Sequence, residues 1–247
     1  MTASAREIYR DYDQYGVVRV LDDGNRRILS FGNDDEQSCA LKSDMADPQH
    51  EYTRAMLLVL AFIEPRRVLT LGLGAGSLNT CLHNRFPDIK QQVVELRPAV
   101  IDVARRFFQL PRSKRLTLHE MDAADYMDAP DSGKVDILFS DLYGEEGMDE
   151  LQLTPRFVNQ CADLLKPGGW LVLNCWRDHE GSELINVLSA EFSELKSCKT
   201  SDGNWILFAS KQSLQYSSSQ LKTNLKKLEK QLGFSLNPGF KRLQSVF

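Results

Sequence analysis

The segment that most constrains the fold is VLTLGLGAGSLNT, from Val68 to Thr80. An apolar run is followed by glycines at Gly72, Gly74 and Gly76, and then by a polar run that is compatible with a helix. Glycine lets a backbone turn tightly and lets it approach a ligand closely. The segment therefore predicts a strand, a turn and a helix. The turn has three interpretations: a site for a nucleotide phosphate, a site for the amino-acid end of an S-adenosyl sulfonium, or a tight turn without a ligand.

Apolar runs and amphipathic segments of helix length alternate from about Pro65 onward. Continuous rather than alternating apolar strands are typical of a parallel sheet that is covered on both faces. The pattern therefore predicts an α/β protein with a doubly wound, mostly parallel sheet. Two later runs, separated by a turn at residues 201–203, predict a closing antiparallel hairpin. The five parallel runs are VLTLGL, QQVVEL, RLTLHEM, VDILFSDL and GWLVLNCW, and the hairpin runs are FSELKSCKT and NWILFASK.

Two further regions flank the alternating part. Near the N-terminus, VVRVL and RRILSF bracket the tetrapeptide DDGN, which predicts a β-hairpin. Near the C-terminus, leucines at helical spacing follow serines and precede Gly233, which predicts a helix that packs on the core or on a dimer partner. The chain is thus divided into an N-terminal β-hairpin unit with a linking helix (1–62), a Rossmann-like donor-binding domain (63–211), and a C-terminal amphipathic helix and tail (212–247).

Composition excludes several classes of protein. The 247 residues are 42% hydrophobic and 26% charged, which is enough for one substantial core. The net charge of −4 is not the basic footprint of a nucleic-acid-binding protein. No segment has the length of a signal-peptide core or a membrane span, so a cytoplasmic protein without a membrane partner is expected. Five cysteines without a C-x-x-C pair indicate free thiols and no metal site.

Acidic residues follow three successive predicted strands. Glu95 ends QQVVEL, 23 positions after Gly72, where a carboxylate would meet the ribose hydroxyls of a nucleoside. Asp122 follows the next strand, where an acid either accepts a hydrogen bond from an adenine amino group or caps the following helix. Because the carboxyl ends of parallel strands meet at one edge of a sheet, we expect both acids to converge with the glycine turn on one crevice.

The ligand of this crevice is predicted to be a cation. A dinucleotide site would place its third glycine later, as in G-x-G-x-x-G, whereas here Gly76 follows Gly74 by two positions. Carboxylates stabilise a sulfonium and would repel a diphosphate. Asp141, after the fourth strand, either caps a loop or accepts a proton from an amine that attacks a carbon bonded to the sulfonium. The sequence therefore favours an adenosyl sulfonium, or its thioether product, as the ligand.

In combination, these motifs resemble the spermidine synthase family of polyamine aminopropyltransferases, and its divergent members most closely. The resemblance runs from about Arg27 to Trp176. It is carried by Gln37-Ser38, Tyr52 in HEYTRAML, LGLGAGSL, VVEL, RRFFQLP, MDAADYM, DILFSDLYG and LLKPGGWLVLN.

This resemblance implies a class I methyltransferase fold with a small N-terminal β unit. It also implies decarboxylated S-adenosylmethionine as donor, methylthioadenosine as product, a small amine such as a polyamine as acceptor, and a homodimer. Asp141 and Tyr52 are implied at the reaction centre, where Asp141 also contacts the donor. The remaining donor contacts are implied for Glu95 at the ribose, Asp122 with Ala123 at the adenine, Gln37 on the donor side, and the turn glycines Gly72, Gly74 and Gly76.

Four positions depart from the family pattern. The D-x-x-D motif after the fourth strand has Gly144 in place of its second acid, and the usual Tyr-His-Glu is Tyr52-Thr53-Arg54. Arg97 stands where relatives often have Asp, and it is predicted to pair with a carboxylate such as that of ordinary S-adenosylmethionine. Three functions therefore stay open: aminopropyl transfer to an amine, methyl transfer from S-adenosylmethionine, and non-catalytic nucleoside binding.

The other conspicuous side chains are predicted to be structural. The histidines are scattered and are interpreted as structural or solvated, and the tryptophans lie in predicted strands and are interpreted as core. These residues are His50, His83, His119 and His179, and Trp170, Trp176 and Trp205.

Overall fold

Three sheets, one of them only the two-stranded pair β10-β11, and eight α-helices occur in the computed structural model, which describes residues 5–32, 35–130, 133–144, 147–213 and 217–247. The first part consists of β1 (Arg6–Asp13), β2 (Gly16–Asp23), β3 (Arg26–Phe31), β4 (Asp35–Leu41), β5 (Asp44–Pro48) and α1 (Glu51–Met56), followed by a 3-10 helix at Leu57–Ala61. The second part consists of β6 (Arg67–Leu71), α2 (Ser77–Arg85), β7 (Lys90–Glu95), α3 (Pro98–Phe107), β8 (Leu116–Glu120), α4 (Ala123–Asp128), β9 (Val135–Ser140), β10 (Tyr143–Gly144), β11 (Gly147–Met148), α5 (Pro155–Leu164), β12 (Leu165–Trp176), α6 (Ser182–Glu191), β13 (Glu194–Lys199) and β14 (Asn204–Ser210). The last part consists of α7 (Ser218–Leu232), α8 (Asn237–Arg242) and β15 (Gln244–Ser245).

The main sheet has the strand order β15-β13-β14-β12-β9-β6-β7-β8. Its five strands β12, β9, β6, β7 and β8 are parallel, whereas β14 is antiparallel to both β12 and β13. The predicted doubly wound sheet with a closing hairpin is confirmed. After β6 the chain winds first towards β8 and then, through β9, towards β12, so the carboxyl ends of β6 and β9 flank a topological switch point.

Each central strand contributes apolar side chains to two cores. In β9, Leu138 lies in one core, whereas Ile137 and Phe139 lie in the core on the opposite face of the sheet. Helices α4, α5 and α6 contribute to the first core, and α2 and α7 contribute to the second. Burial on both faces explains why the parallel strands read as continuous apolar runs.

The N-terminal unit is larger than the sequence suggested. The predicted hairpin is present as β2 and β3, but β1, β4 and β5 extend it to a five-stranded antiparallel sheet. Strand β1 is largely exposed and polar, so it carries no apolar alternation by which it could be recognised. The sheet packs on α3, because Val18 and Leu29 share a core with Val100 and Val103. The division of the chain at residues 62 and 211 remains a prediction.

Helix α7 buries its apolar face within this chain. Leu225, Leu228 and Leu232 belong to the core that also contains Trp170. A capping box formed by Ser217 and Gln220 begins the helix, and Gly233, with φ +84°, ends it. The apolar stripe therefore packs on the protein's own core, while a dimer remains a prediction.

Removing the cap of α7 tests this packing. We expect Ser217→Ala to lower the free energy of unfolding by about 1 kcal/mol, because the Gln220 N–H loses the side-chain oxygen that accepts its hydrogen bond. Urea denaturation of wild-type and variant protein measures this difference. The control is Ser219→Ala, on the exposed first turn of the same helix, which should change the free energy by no more than about 0.5 kcal/mol. Equal effects of the two substitutions would contradict the importance of the cap.

The five cysteines are buried free thiols. None of the helices in the described ranges is long and apolar enough to cross a membrane.

Candidate active site

A cavity of about 420 Å³ lies at the carboxyl ends of the parallel strands. Its floor consists of the residues that directly follow β6, β7, β8 and β9. Residues of β4 and the start of α1 line another side, and the end of β12 and the turn between β13 and β14 complete it. The cavity therefore occupies the switch point of the doubly wound sheet, where α/β proteins of this kind bind ligands.

The glycine turn between β6 and α2 packs tightly against the end of β9. Gly72 has φ +87°, and a Cβ atom at this position would overlap the backbone carbonyl oxygen of Asp141. The Gly72 N–H donates to the carbonyl oxygen of Val94 in the neighbouring strand. Gly72 and Gly74 both line the cavity, as the sequence predicted.

Gly76 packs closely against a neighbouring side chain at the start of α2. It precedes α2 with φ +77°, and a Cβ atom there would lie 2.7 Å from Cδ1 of Leu110. Gly76 is not among the residues that line the cavity. Its missing side chain makes room for Leu110 and for a left-handed backbone, and a contact between Gly76 and the donor remains a prediction.

Glu95 connects the glycine turn to β7. Its side chain is buried, and the residue is only 8% exposed. Oε2 accepts a hydrogen bond from the Leu73 N–H and Oε1 accepts one from the Arg97 N–H, both at 2.9 Å. Burial raises the pKa of this carboxyl, and the backbone donors oppose the rise. Because each carboxylate oxygen has a second lone pair and Glu95 lines the cavity, it can still accept a ligand hydroxyl.

Asp122 fits both of the interpretations that the sequence left open. Its Oδ1 accepts a 2.6 Å hydrogen bond from the Ala124 N–H and so caps α4. Asp122 and its neighbour Ala123 also line the cavity beside Met121. Capping uses one carboxylate oxygen, so the other remains available to a ligand donor.

Asp141 is a buried carboxylate with a defined partner. Its Oδ1 accepts a 2.7 Å hydrogen bond from Nδ2 of Asn174, which ends an apolar run in β12 and is 1% exposed. Asn174 is itself oriented by Asn204, whose Nδ2 donates to the Asn174 Oδ1. Burial raises the pKa of Asp141 to about 6, against the hydrogen bond from Asn174. Neither asparagine was predicted, although Asn174 is the first polar residue at the carboxyl end of a strand adjacent to β9.

Tyr52 and His50 form one wall of the cavity, and Gln37 lies on it too. The two rings are stacked with their centroids 5.4 Å apart. Burial, and then the charge of Asp141, raise the pKa of the Tyr52 phenol. Burial lowers the pKa of His50, whose Nε2 lies 3.7 Å from Oε1 of Glu36. Tyr52 thus lies at the cavity, and so does His50, whose interpretation as a structural residue remains a prediction.

Trp176 lies at the cavity rather than in the core. The sequence predicted a core residue, yet its side chain is 41% exposed and lines the cavity beside Tyr143, with ring centroids 5.8 Å apart. It is the last residue of β12 and so extends beyond the covered part of the sheet. Trp170 and Trp205 are buried core residues, as predicted.

Two arginines that depart from the family pattern pair with carboxylates of the protein itself. Arg54 donates to Oδ1 of Asp47 at 2.7 Å, and its guanidinium lies over the ring of Phe234. Arg54 does not line the cavity. Arg97 does line the cavity, but its Nε and Nη2 donate to the carboxylate of Asp13 at 3.0 and 2.8 Å. The hypothesis that Arg97 pairs with a ligand carboxylate is therefore not supported.

The charge that remains in the cavity is negative. Glu36 is paired with Arg26 at 2.6 Å, and Arg97 is paired with Asp13. Gly144 stands where the family motif has its second acid, so that carboxylate is absent. No atom lies within 4 Å of a Cβ placed on Gly144. A concave site lined by one sign of charge favours a cationic ligand. The carboxylates that line it are Glu36, Glu95, Asp122, Asp141, Asp149 and Asp202.

No group of three or more metal-ligating side chains occurs within the part of the chain that the structure describes. Glu145 and Glu146, the acids that directly follow Gly144, lie outside the described residues.

Comparison with known proteins identifies two groups of relatives. The family model described as methyltransferase small domain matches residues 50–208. The polyamine aminopropyltransferase of Chromobacterium violaceum is 32% identical over 208 residues, which cover 79% of this chain and 77% of that protein. A probable spermidine synthase from Corynebacterium glutamicum superposes with a TM-score of 0.78 and 21% identity, covering 99% of this chain and 91% of its own. Human methyltransferase-like protein 13, solved in complex with SAH, superposes with a TM-score of 0.69 and 24% identity, covering 75% of this chain and 93% of its own.

Proposed function

Since the chain belongs to the methyltransferase small domain family and is a divergent member of the polyamine aminopropyltransferase family, we propose that it transfers an aminopropyl group from decarboxylated S-adenosylmethionine to an amine. The observation that carries the proposal is one anionic cavity that joins the glycine turn, Glu95, Asp122 and Asp141. In the proposed complex Glu95 holds the ribose, Asp122 with Ala123 holds the adenine, and the sulfonium lies near Asp141.

Asp141 is proposed as the proton acceptor of the transfer. The amine nitrogen attacks the carbon bonded to the sulfonium, a C–N bond forms, and the C–S bond breaks to leave a neutral thioether. The proton that the nitrogen loses passes to the Asp141 carboxylate. Asn174 occupies Oδ1, which leaves Oδ2 for the amine, and a pKa raised to about 6 makes this carboxylate a stronger base than an exposed one. Tyr52 lies beside it and is proposed to orient the acceptor.

The pairing of Arg97 supports the decarboxylated donor. Ordinary S-adenosylmethionine carries a carboxylate, which would be stabilised by an available cation. Among the described lining residues, Arg97 is the sole arginine or lysine, and Asp13 already engages it. A donor without the carboxylate is not repelled by the negative charge of the cavity.

Methyl transfer from S-adenosylmethionine is the second candidate function. It is favoured by Gly144, which removes an acid expected to hold a polyamine, and by the likeness in fold to a methyltransferase solved with SAH. The same cavity and the same base would serve this reaction. A non-catalytic nucleoside-binding protein is the third possibility.

Binding measurements with three ligands test the donor. By calorimetry we expect methylthioadenosine and decarboxylated S-adenosylmethionine to bind, and S-adenosylmethionine to bind about tenfold more weakly because its carboxylate lacks an available cation. Product analysis with putrescine then tests the transfer. Tighter binding of S-adenosylmethionine together with methylated products would favour the second candidate, and binding without any transfer would favour the third. If none of the three ligands binds, the proposed function is wrong.

The homodimer and the cytoplasmic location predicted from the sequence belong to the same proposal.

A further inference from the structure

We propose that Asp202, in the turn between β13 and β14, is a specificity-determining residue that holds a second cationic group of the amine acceptor. This role rests on the proposed function, because it concerns the acceptor side of the same cavity. Asp202 would supply the carboxylate that this chain lacks at Gly144, where the family motif has its second acid.

The turn that carries Asp202 is held from two sides. The Ser201 N–H donates to Oε2 of Glu51 at 2.9 Å, and the Ser201 hydroxyl donates to the same oxygen. On the other side, the Arg177 N–H donates to the carbonyl oxygen of Gly203, and Nη2 of Arg177 donates to that of Thr200. These contacts fix the turn at the edge of the cavity, so Asp202 is positioned before a ligand arrives.

The anchoring carboxylate also links the turn to the C-terminal part of the chain. Glu51 forms an ion pair with Arg242 at the end of α8. It directly precedes Tyr52, so the turn and the reaction centre share an anchor on α1. A contact made by Asp202 would therefore be held in a defined position relative to Asp141 and Tyr52.

The charge of Asp202 is available to a ligand. Its side chain is exposed at the cavity and forms no ion pair with another residue in the described ranges. Its charge acts on the wall of the cavity: burial lowers the pKa of His50 and raises that of Tyr52, and the negative charge of Asp202 is a smaller influence that favours the protonated form of each. By contrast, Glu36 on the same cavity is already paired with Arg26.

The surfaces near Asp202 suit an acceptor with a hydrocarbon chain between two amines. The exposed ring of Trp176 and the ring of Tyr143 line the cavity together with Asp202. Aromatic faces bind methylene groups and attract cations. Asp141 would take the reacting amine, and Asp202 would hold the distal ammonium.

The test is a comparison of Asp202→Ser with Asp178→Ser, because Asp178 is an exposed acid on the adjacent segment that does not line the cavity. The probes are 1,4-diaminobutane and butylamine, titrated by calorimetry into protein saturated with methylthioadenosine. We expect Asp202→Ser to weaken diamine binding about tenfold and butylamine binding by less than about twofold. Asp178→Ser should weaken neither, and the affinity for methylthioadenosine should not change.

A rescue variant separates a binding role from a structural one. The backbone at Gly144 does not adopt a left-handed conformation, and a Cβ there meets no atom within 4 Å, so Gly144→Asp fits without strain. In the Asp202→Ser background, Gly144→Asp should restore the affinity for the diamine. If Asp202→Ser weakened binding only by damaging the structure, this second substitution would not restore the affinity. If wild-type protein and Asp202→Ser bind the diamine equally, the role of Asp202 is wrong while the proposed function stands. If wild-type protein binds methylthioadenosine but neither amine, the amine-transfer proposal fails, and the role of Asp202 fails with it.

Discussion

Asp141→Asn is expected to reduce transfer by a factor of about 10²–10⁴, the range typical for loss of a general base. The amide keeps the size of the carboxylate, and its oxygen can still accept the hydrogen bond from Asn174. It cannot accept the proton that the amine must lose. Donor binding should therefore persist while the chemical step fails, so that kcat falls much more than the affinity for methylthioadenosine.

The same substitution should make the protein more stable at neutral pH. Burial raises the pKa of Asp141 from 3.8 to about 6, which means that the folded state disfavours the charged form. Between about pH 4 and pH 6 the folded protein binds more protons than the unfolded chain at this site, so the free energy of unfolding of the wild type decreases as the pH rises. The variant lacks this decrease. We expect the free energy of unfolding of the variant to exceed that of the wild type by an amount that grows through that interval and reaches roughly 1 kcal/mol or more at pH 7.

Urea denaturation at several pH values, together with steady-state kinetics, measures both effects. In the wild type, activity should increase with pH through about pH 6 as the Asp141 carboxyl loses its proton. Asp125→Asn, an exposed substitution on α4, serves as the control and should change neither property. Full activity of Asp141→Asn would exclude this residue as the base, and a stability difference independent of pH would exclude its raised pKa.

Gly72→Ala is expected to cost more than about 3 kcal/mol of folding free energy, or to prevent folding altogether. The new Cβ would overlap the carbonyl oxygen of Asp141, and φ at this residue is +87°. Both groups are backbone at the ends of adjacent parallel strands, and Gly72 is also hydrogen-bonded to Val94, so neither can move aside. The substitution should therefore damage the sheet and the site together.

Gly24→Ala separates the overlap from the backbone conformation. Gly24 also has a positive φ, +58°, but no atom lies within 4 Å of a Cβ placed there. Its substitution should cost only about 1 kcal/mol, the strain of a left-handed alanine. Thermal unfolding and soluble yield of the two variants provide the comparison. A Gly72→Ala protein as stable as Gly24→Ala would show that the turn is not packed as tightly as described.

The parallel sheet and the acidic floor of the cavity were predictable from the sequence because both follow from local order. Residues that directly follow parallel strands must meet at one edge, so the convergence of Glu95, Asp122 and Asp141 required only the strand assignments. The class I methyltransferase fold was likewise predictable from the family motifs and is confirmed.

Features that depend on contacts between distant residues could not be predicted in this way. Arg97 pairs with Asp13, 84 positions earlier in the chain, and no local pattern relates the two. Arg54 lies against the ring of Phe234, which is also far away in the chain, and the spacing around Tyr52 does not reveal this contact. The exposure of Trp176 depends on where a strand passes the edge of the sheet rather than on its apolar composition.

The Asp13–Arg97 ion pair connects the N-terminal sheet to the residue that follows β7 in the main sheet. It also changes the net charge that the cavity presents to a ligand. Its side chains are only 15% and 6% exposed, so water does little to screen the guanidinium. The first strand of the N-terminal sheet thus supplies the carboxylate that neutralises Arg97. Without this strand, an unpaired positive charge would line the cavity that is proposed to bind a sulfonium. A fragment beginning at β6 would keep every carboxylate of the floor, but the unpaired Arg97 guanidinium would weaken the attraction that those carboxylates exert on a cation.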